Sequence, residues 1–476
     1  MKLKISALLL AAASCFTSQA QELRSAYFMQ TSNTKHEINP ALLEDSYLTM
    51  PLLPLGYFNF GTTGNIGAAN FIYKLKPGMQ GYGKGNELTT FMNPDVDRNE
   101  FLSNLRDRNT MGLYLKYQLF GMGFKAFHGV NSIELNLRSN TNICLPKDLF
   151  SFMKDTGCQE EYDISNIGVL SQNYVELGLG HAHQINDKLR VGGKVKLLFG
   201  LAYAHFKAED FHLQMNENQW LVRGNASMSL AALGMKFDHK EGKNYIDPST
   251  GQVTDIERID GINTDDIKPE LSGFGMAFDL GATYQVLPEL KVSASITDLG
   301  FINWKNTLRG SSKGEWTFDG FKNDIYVDGT DTGHNKIEDQ LDDISDDLEN
   351  LFSVYDDGTG SSTKALAATL NLGAEYTLPM YDKLRFGFLY TSRIQGRYSW
   401  HQGMLSANVR PIKPIEVSLN VAANSSGITC GAVLDLHAPH FNFFIGTDRF
   451  VGKLSKQGIP LHNLNSNVSL GMSFPL

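Results

Sequence analysis

Phe274 to Val286 reads FGMAFDLGATYQV, and every second residue is apolar. Phe274, Met276, Phe278, Leu280, Ala282, Tyr284 and Val286 fall on one side; Gly275, Ala277, Asp279, Gly281, Thr283 and Gln285 fall on the other. Only an extended strand has a side-chain period of two, so one face meets something greasy and the other something small or polar. The stretch is long enough to cross a bilayer at a tilt, which takes about 9–11 residues.

Similar runs recur at 55–63, 65–75, 110–119, 121–128, 131–139, 171–184, 189–206, 218–231, 273–286 and 290–299. After an insert they resume at 365–378, 383–395, 398–410, 414–423, 427–436, 440–449 and 467–475. Together they predict an all-β fold, a transmembrane antiparallel β-barrel of about 14 strands (range about 14–16, since sequence marks strands better than their ends).

Bulk composition agrees. Of 476 residues, 42% are hydrophobic, 20% charged and 11% aromatic, with 45 glycines to serve tight turns. After the first twenty residues no apolar run reaches the roughly 18 positions of a transmembrane helix. A mean hydropathy of -0.22 therefore suits a membrane protein only where lipid-facing residues alternate with polar ones.

The opening MKLKISALLLAAASCFTSQA has the form of a secretory signal. Lys2 and Lys4 give the positive region, Ala7 to Ala13 the apolar region, and Ser18-Gln19-Ala20 a small-residue cleavage site. Residues 1–20 are expected to be removed, and the mature chain to reach the outer membrane of a Gram-negative bacterium. Cys15 lacks the Leu or Val three places earlier that a lipid-attachment site carries. Without Lys2 and Lys4 the 42 basic residues become 40 against 51 acidic ones, a net charge of -11. No basic stripe argues for nucleic acid, so outer-membrane lipid is the expected surrounding partner. Acid gathers in inserts, as in Asp339 to Asp343 and Asp356-Asp357, which read as solvated loops.

Residues 21–54 are not strand-like: TSNTKHEINP is polar, ALLEDSYLTMPLLPL is apolar without alternation, and Pro40, Pro51 and Pro54 block a ladder or helix. This segment is expected to pack in the lumen as a plug ahead of a barrel spanning 55–476. Short turns at Asn186-Asp187, Leu287-Pro288-Glu289, Pro379 to Asp382 and Pro411 to Pro414 suit the periplasmic rim. The long inserts 76–109, 140–170, 232–272 and 300–364 are then expected on the outer side.

Alternation also assigns faces. In Leu189 to His205, the apolar set Val191, Val195, Leu197, Phe199, Leu201 and Tyr203 points to lipid, while Lys194, Lys196, Gly200 and Ala202 point inward. Glu176, Asp279, Glu375, Arg385, Arg393, Glu416 and Asp435 also take inward positions, so the lumen is polar with both signs of charge. Two inserts carry helical patterns. Ile337, Leu341, Ile344, Leu348 and Leu351 make one apolar stripe, and Leu149, Phe150 and Phe152 follow Pro146-Lys147-Asp148, which can start a helix. Such helices cap or plug a barrel, or the aromatic one lines a hydrophobic ligand site. Cys144 and Cys158 share an insert and are either bonded or two free thiols; Cys430 reads as a small lipid-facing residue.

Other motifs are weak. His181 and His183 share an outward face near the interface rather than a metal site. Asp328-Gly329-Thr330-Asp331 lacks calcium-loop spacing. No hydrolase, zinc-protease or phosphate-loop spacing appears, so neither an enzyme nor a cofactor is expected, although distant Ser, His and Asp residues could still be assembled by a fold.

Several stretches carry a resemblance. Ala26-Tyr27-Phe28-Met29, His36-Glu37-Ile38-Asn39-Pro40-Ala41-Leu42, Gly64-Asn65-Ile66-Gly67, and Asp298-Leu299-Gly300-Phe301-Ile302 with Trp304 resemble a Bacteroidetes outer-membrane family of unknown function, DUF5723. Asn39-Pro40-Ala41 separately resembles the motif of FadL-type long-chain fatty-acid transporters. Those are fourteen-stranded barrels with an N-terminal plug, whose hydrophobic ligands leave through a side opening. The resemblance implies that Asn39, Pro40 and Ala41 belong to a plug. It departs at the C-terminus, where Pro475 and Leu476 follow Phe474, and in the acidic inserts 232–272 and 300–364. Two roles follow: binding or passage of hydrophobic small molecules, with a tight apolar pocket against the plug, or a non-transporting scaffold. The second rests on similar barrels in secretion and gliding machinery and implies secretion-complex or surface-attachment partners.

Overall fold

The computed structural model describes residues 22–49, 56–83, 87–155, 159–216, 219–246, 252–267, 270–318, 353–424, 427–450 and 466–476. The signal, Cys158, the Asp328 to Asp331 loop, Asp339 to Asp343 and the stripe from Ile337 to Leu351 lie outside them.

Two short strands, β1 (Tyr47–Thr49) and β2 (Phe58–Gly64), share the first stave. A hairpin of β3 (Ile72–Lys74) and β4 (Leu88–Thr90) stands outside the barrel sheet. Then come β5 (Arg108–Ala126), β6 (Gly129–Pro146), the short β7 (Glu161–Asp163), β8 (Gly168–Gln184) and β9 (Leu189–Met215). β10 (Trp220–Ala232), β11 (Lys236–Ile246) and β12 (Val253–Asn263) precede β13 (Gly273–Leu287) and β14 (Leu290–Phe318). The remainder are β15 (Tyr355–Ala365), β16 (Ala368–Thr377), β17 (Leu384–Ile394), β18 (Trp400–Ile412), β19 (Ile415–Asn424), β20 (Gly427–His437), β21 (Asn442–Thr447) and β22 (Ser466–Pro475).

The ring runs β2, β5, β6, β8, β9, β13, β14 and then β16 to β22 in order, every pair antiparallel, and closes where Phe58 of β2 meets Leu470 of β22. That is a closed fourteen-stranded barrel, whose closure removes the sheet edge. Among the described residues no helix is long and apolar enough to cross a membrane. The alternation of the opening stretch is visible in space: Phe274, Met276, Phe278, Leu280, Tyr284 and Val286 are exposed outward, while Ala277 and Asp279 are buried. The short turns at 127–128, 185–188, 288–289, 378–383, 413–414 and 438–441 share one end. Phe127 and His128 make theirs with φ of 56° and 60°, the left-handed geometry of a two-residue hairpin.

Several strand readings change. Residues 65–75 are not a stave: α1 (Ala68–Phe71) and β3 form there instead. Their apolar residues Ile66, Phe71 and Tyr73 pack an aromatic cluster with Phe91, Phe101 and Phe150. The runs 110–119 and 121–128 are one strand, β5, kinked by a bulge between Gln118 and Phe120. β10 is not a stave either; it lies between the upper halves of β9 and β14, which continue the wall outward. The inserts 232–272 and 300–364 accordingly begin as regular strands, and Asp356-Asp357 lies on β15. In β9 a bulge at Leu201 (Asn173 pairs with Ala202, Tyr174 with Gly200) reverses parity beyond it. Tyr203, expected on the lipid side, is therefore buried inside, and Ala202 turns outward. Cys144 lies on β6 rather than in an irregular insert and is fully buried; Cys430 is exposed on β20.

α2 (Arg98–Ser103) and α3 (Lys147–Lys154) cover the end with the long connections. Pro146 precedes α3 as its cap, and the α3 stripe enters two packed clusters, Phe150 in one and Leu149 with Phe152 in the other. The helix is core to this outer cap.

Candidate functional site

Residues 22–46 lie within the ring, mostly buried, and lead into β1 in the wall. They contain three single turns of 3-10 helix, at Arg24–Ala26, Lys35–Glu37 and Pro40–Leu42. Pro40 fixes the start of the third turn, and the Asn39 carboxamide oxygen accepts from the Ala41 N–H at 3.0 Å. The wall is shaped to receive this turn. Gly192 of β9 and Gly281 of β13 are cross-strand partners. A Cβ on Gly281 would come within 2.0 Å of the Asn39 oxygen, and one on Gly192 within 2.4 Å of Pro40. Two facing glycines therefore clear the seat for Asn39-Pro40-Ala41. Asn39 Nδ2 donates to the Tyr27 hydroxyl at 3.1 Å, and Ser295 of β14 donates to the Ile38 carbonyl at 2.7 Å. Arg190 Nε donates to the Ala41 carbonyl at 2.8 Å.

Charge fastens the rest. Glu37 meets Lys116 of β5 at 2.7 Å and Lys194 of β9 at 3.2 Å. Lys194 also meets Glu134 of β6 at 2.8 Å, and His36 Nε2 lies 2.8 Å from the other Glu134 oxygen. Burial and Glu134 push the Glu37 carboxyl up, the two lysines pull it down, and it ends below its ordinary value. His36, Glu37 and Glu134 converge closely enough to suggest metal ligands, but the two lysine ammonium groups already take the place of a cation. Further round, the Arg24 and Ser25 N–H groups donate to Asp448 at 2.9 and 2.7 Å. Those of Gln30 and Thr31 donate to Glu416 at 3.0 and 2.9 Å.

A second charged layer lies on the wall. Lys196 bridges Asp279 at 2.7 Å and Asp298 at 2.6 Å. Arg138 meets Glu176 at 2.8 Å and Asp298 at 3.3 Å. Asp298 stands at a bulge in β14 with φ of 58°, and its N–H donates to Asp279 at 2.8 Å. Arg385 meets Glu416 at 2.6 Å and Glu375 at 3.8 Å. Arg393 lies over the Tyr114 ring at 4.7 Å. Above this layer Trp304 stacks on Tyr203 with centroids 5.2 Å apart, among buried Tyr174, Leu198 and Ile302.

The structure thus brings Glu176, Lys194, Lys196 and Asp279 into one network with Glu37, Glu134, Arg138 and Asp298. It places Glu375 and Arg385 in a separate group by Glu416. Lys116, Glu134 and Arg138 escaped the sequence reading although their parity marks them: Leu115 and Tyr117, and Ile133, Leu135 and Leu137, alternate with them. Asp298 had no such mark, because a bulge breaks the alternation there. Pairing of Cys144 with Cys158 falls outside the described residues. His181 and His183 stack at 6.0 Å on the outward face, with His181 Nδ1 2.9 Å from the Asn131 carboxamide oxygen. Two cavities against the N-terminal segment are small: a polar one of about 30 Å³ beside Arg24 and Arg393, and one of about 20 Å³ beside His36 and Tyr47 whose lining, with Phe444 and Met472, is more apolar than polar. At those volumes neither is the expected apolar pocket.

Fold and interior define a closed β-barrel against whose inner wall its own N-terminal segment packs. Residues 40–448 match the sequence pattern of a family described as "Family of unknown function (DUF5723)", and the chain belongs to that family. No curated protein matches it. Among solved structures it is similar to the Ralstonia pickettii toluene transporter TbuX (9% identity, 94% of each chain, TM-score 0.41). It is also similar to the P. putida toluene transporter TodX (8% identity, 96% of this chain and 95% of that one, TM-score 0.39). A Pseudomonas aeruginosa FadL homologue is more distant (10% identity, 94% and 92%, TM-score 0.33). At these scores the likenesses carry no weight for cargo.

Proposed function

We propose that the protein is an outer-membrane barrel kept shut to water and ions by residues 22–49 as a plug, and that it binds and passes hydrophobic small molecules. The observation that carries this reading is the uneven register of the first stave, where the plug joins the wall. Thr49 pairs with Gly121 and Thr63 with Gly112, so fourteen steps along this stave match nine along β5. On the other side Leu48 pairs with Phe474 and Phe58 with Leu470, ten steps against four. A first stave out of register with both of its neighbours, beside a charged lumen, suits a cargo that leaves sideways into lipid, which favours an apolar molecule. The outer hairpin adds an uncommitted apolar surface, with Ile72, Tyr82, Leu88 and Met92 45–57% exposed.

The test is equilibrium binding of a fluorescent fatty acid and of an alkylbenzene to detergent-purified protein. Saturable micromolar binding that weakens when Ile72, Leu88 and Met92 become serine supports the reading; no binding of either probe refutes it. A second reading, a docking scaffold, is favoured by β9 and β14, whose 27 and 29 residues far exceed the 9–11 or so of a membrane crossing. Stoichiometric recovery of a partner from intact outer membranes would establish it.

A further inference from the structure

One buried cation in the lumen has no carboxylate in contact with it. Arg393 of β17 is more than nine-tenths buried, and among the described residues no carboxylate lies within ion-pair distance of it. Its guanidinium rests on the Tyr114 ring, and its Nε has no hydrogen-bond partner. The neighbouring charges are already engaged: Lys116 holds Glu37 and Glu22, and Arg138 holds Glu176 and Asp298. Arg393 borders the cavity of about 30 Å³ together with Arg24 from the plug, and Lys116 and Arg138 line it with the carboxylates of Glu22, Glu37 and Asp298, so its cations outnumber its anions. Arg24 lies over Trp400 at 4.8 Å, and Trp400 is the cross-strand partner of Arg393. Two guanidinium groups, one from the plug and one from the wall, thus meet at one small polar space. Burial and the like charges of Arg449 and Arg393 hold Arg24 down at about 10, against the pull of Asp448. A buried cation with no carboxylate in direct contact is costly.

We propose that this cavity binds a single halide-sized monovalent anion, held by Arg393 from the wall and Arg24 from the plug. The space admits one or two particles the size of water, which fits chloride or bromide and excludes sulfate and phosphate. Bound there, the anion clamps the plug to β17, so plug docking depends on small anions whatever cargo the barrel carries.

The test is bromide anomalous diffraction on crystals of the full chain, with the Arg393→Met variant as control. An anomalous peak in hydrogen-bond reach of Arg393 in the native protein, lost in the variant, is expected. An empty cavity in bromide, or a peak that persists without Arg393, overturns the proposal. Should Arg393→Met fail to assemble, thermal unfolding of the native protein decides: a saturable rise in melting temperature with chloride but not with gluconate is expected, and equal response to both overturns it.

Discussion

Glu37→Gln is the most informative single change to the plug. The carboxylate meets two ammonium groups at 2.7 and 3.2 Å, and all three side chains are about 2% exposed or less. At an effective dielectric of about 20 each contact is worth roughly 5–6 kcal/mol of gross attraction, most of which offsets desolvation. Breaking a buried pair from one side costs about 3–5 kcal/mol. Each lysine keeps a second carboxylate, Glu22 at 3.4 Å for Lys116 and Glu134 at 2.8 Å for Lys194, so about 3 kcal/mol is the appropriate figure. At about 1.4 kcal/mol per factor of ten, the docked-to-undocked ratio should fall about a hundredfold. Single-channel recording in planar bilayers reads this directly: brief openings, rare in the native protein, should become about a hundredfold more frequent. A variant that assembles normally and stays as quiet as the native protein would show that Glu37 does not hold the plug.

Three further outcomes follow from the same geometry. Gly281→Val places a branched side chain where Asn39 now lies, so the barrel should assemble with its plug displaced, as judged by new protease cleavage within residues 22–46. Phe278→Arg, on the lipid face, should reduce assembly by about 2–4 kcal/mol in a refolding assay if mid-membrane; Asp279→Asn should leave assembly intact because Lys196 retains Asp298, and the reverse pattern would invert the faces. The lowered Glu37 carboxyl contributes docking stability that is complete above its unfolded pKa of about 4.3 and is lost as pH falls through its lower folded value. Channel openings should therefore rise only below about pH 4, and a rise between pH 5 and 7 would point to another group.

The wall was legible because barrel strands obey a period of two. FGMAFDLGATYQV gave its faces residue for residue, including the inward Asp279 and the small Gly281 that seats the plug. The failures have local causes. Leu201 and Asp298 sit at bulges, which reverse parity without any compositional sign, so simple alternation puts Tyr203 on the wrong side. Trp220 to Ala232 alternates like a stave because it pairs on both edges above the barrel, where sequence carries no depth. The plug's contacts were not legible, since His36 and Glu37 lie in aperiodic chain and meet Lys116 and Lys194 only through the closed ring.

The central claim is that residues 22–49 shut the barrel. Conductance of the native protein beside a variant lacking residues 22–46 tests it most directly, with both shown to be folded by heat-modifiable mobility. A native protein that is silent apart from rare openings, and a steadily conducting variant, are the predicted pair. A native protein that conducts continuously, or a folded variant that stays closed, would contradict the account.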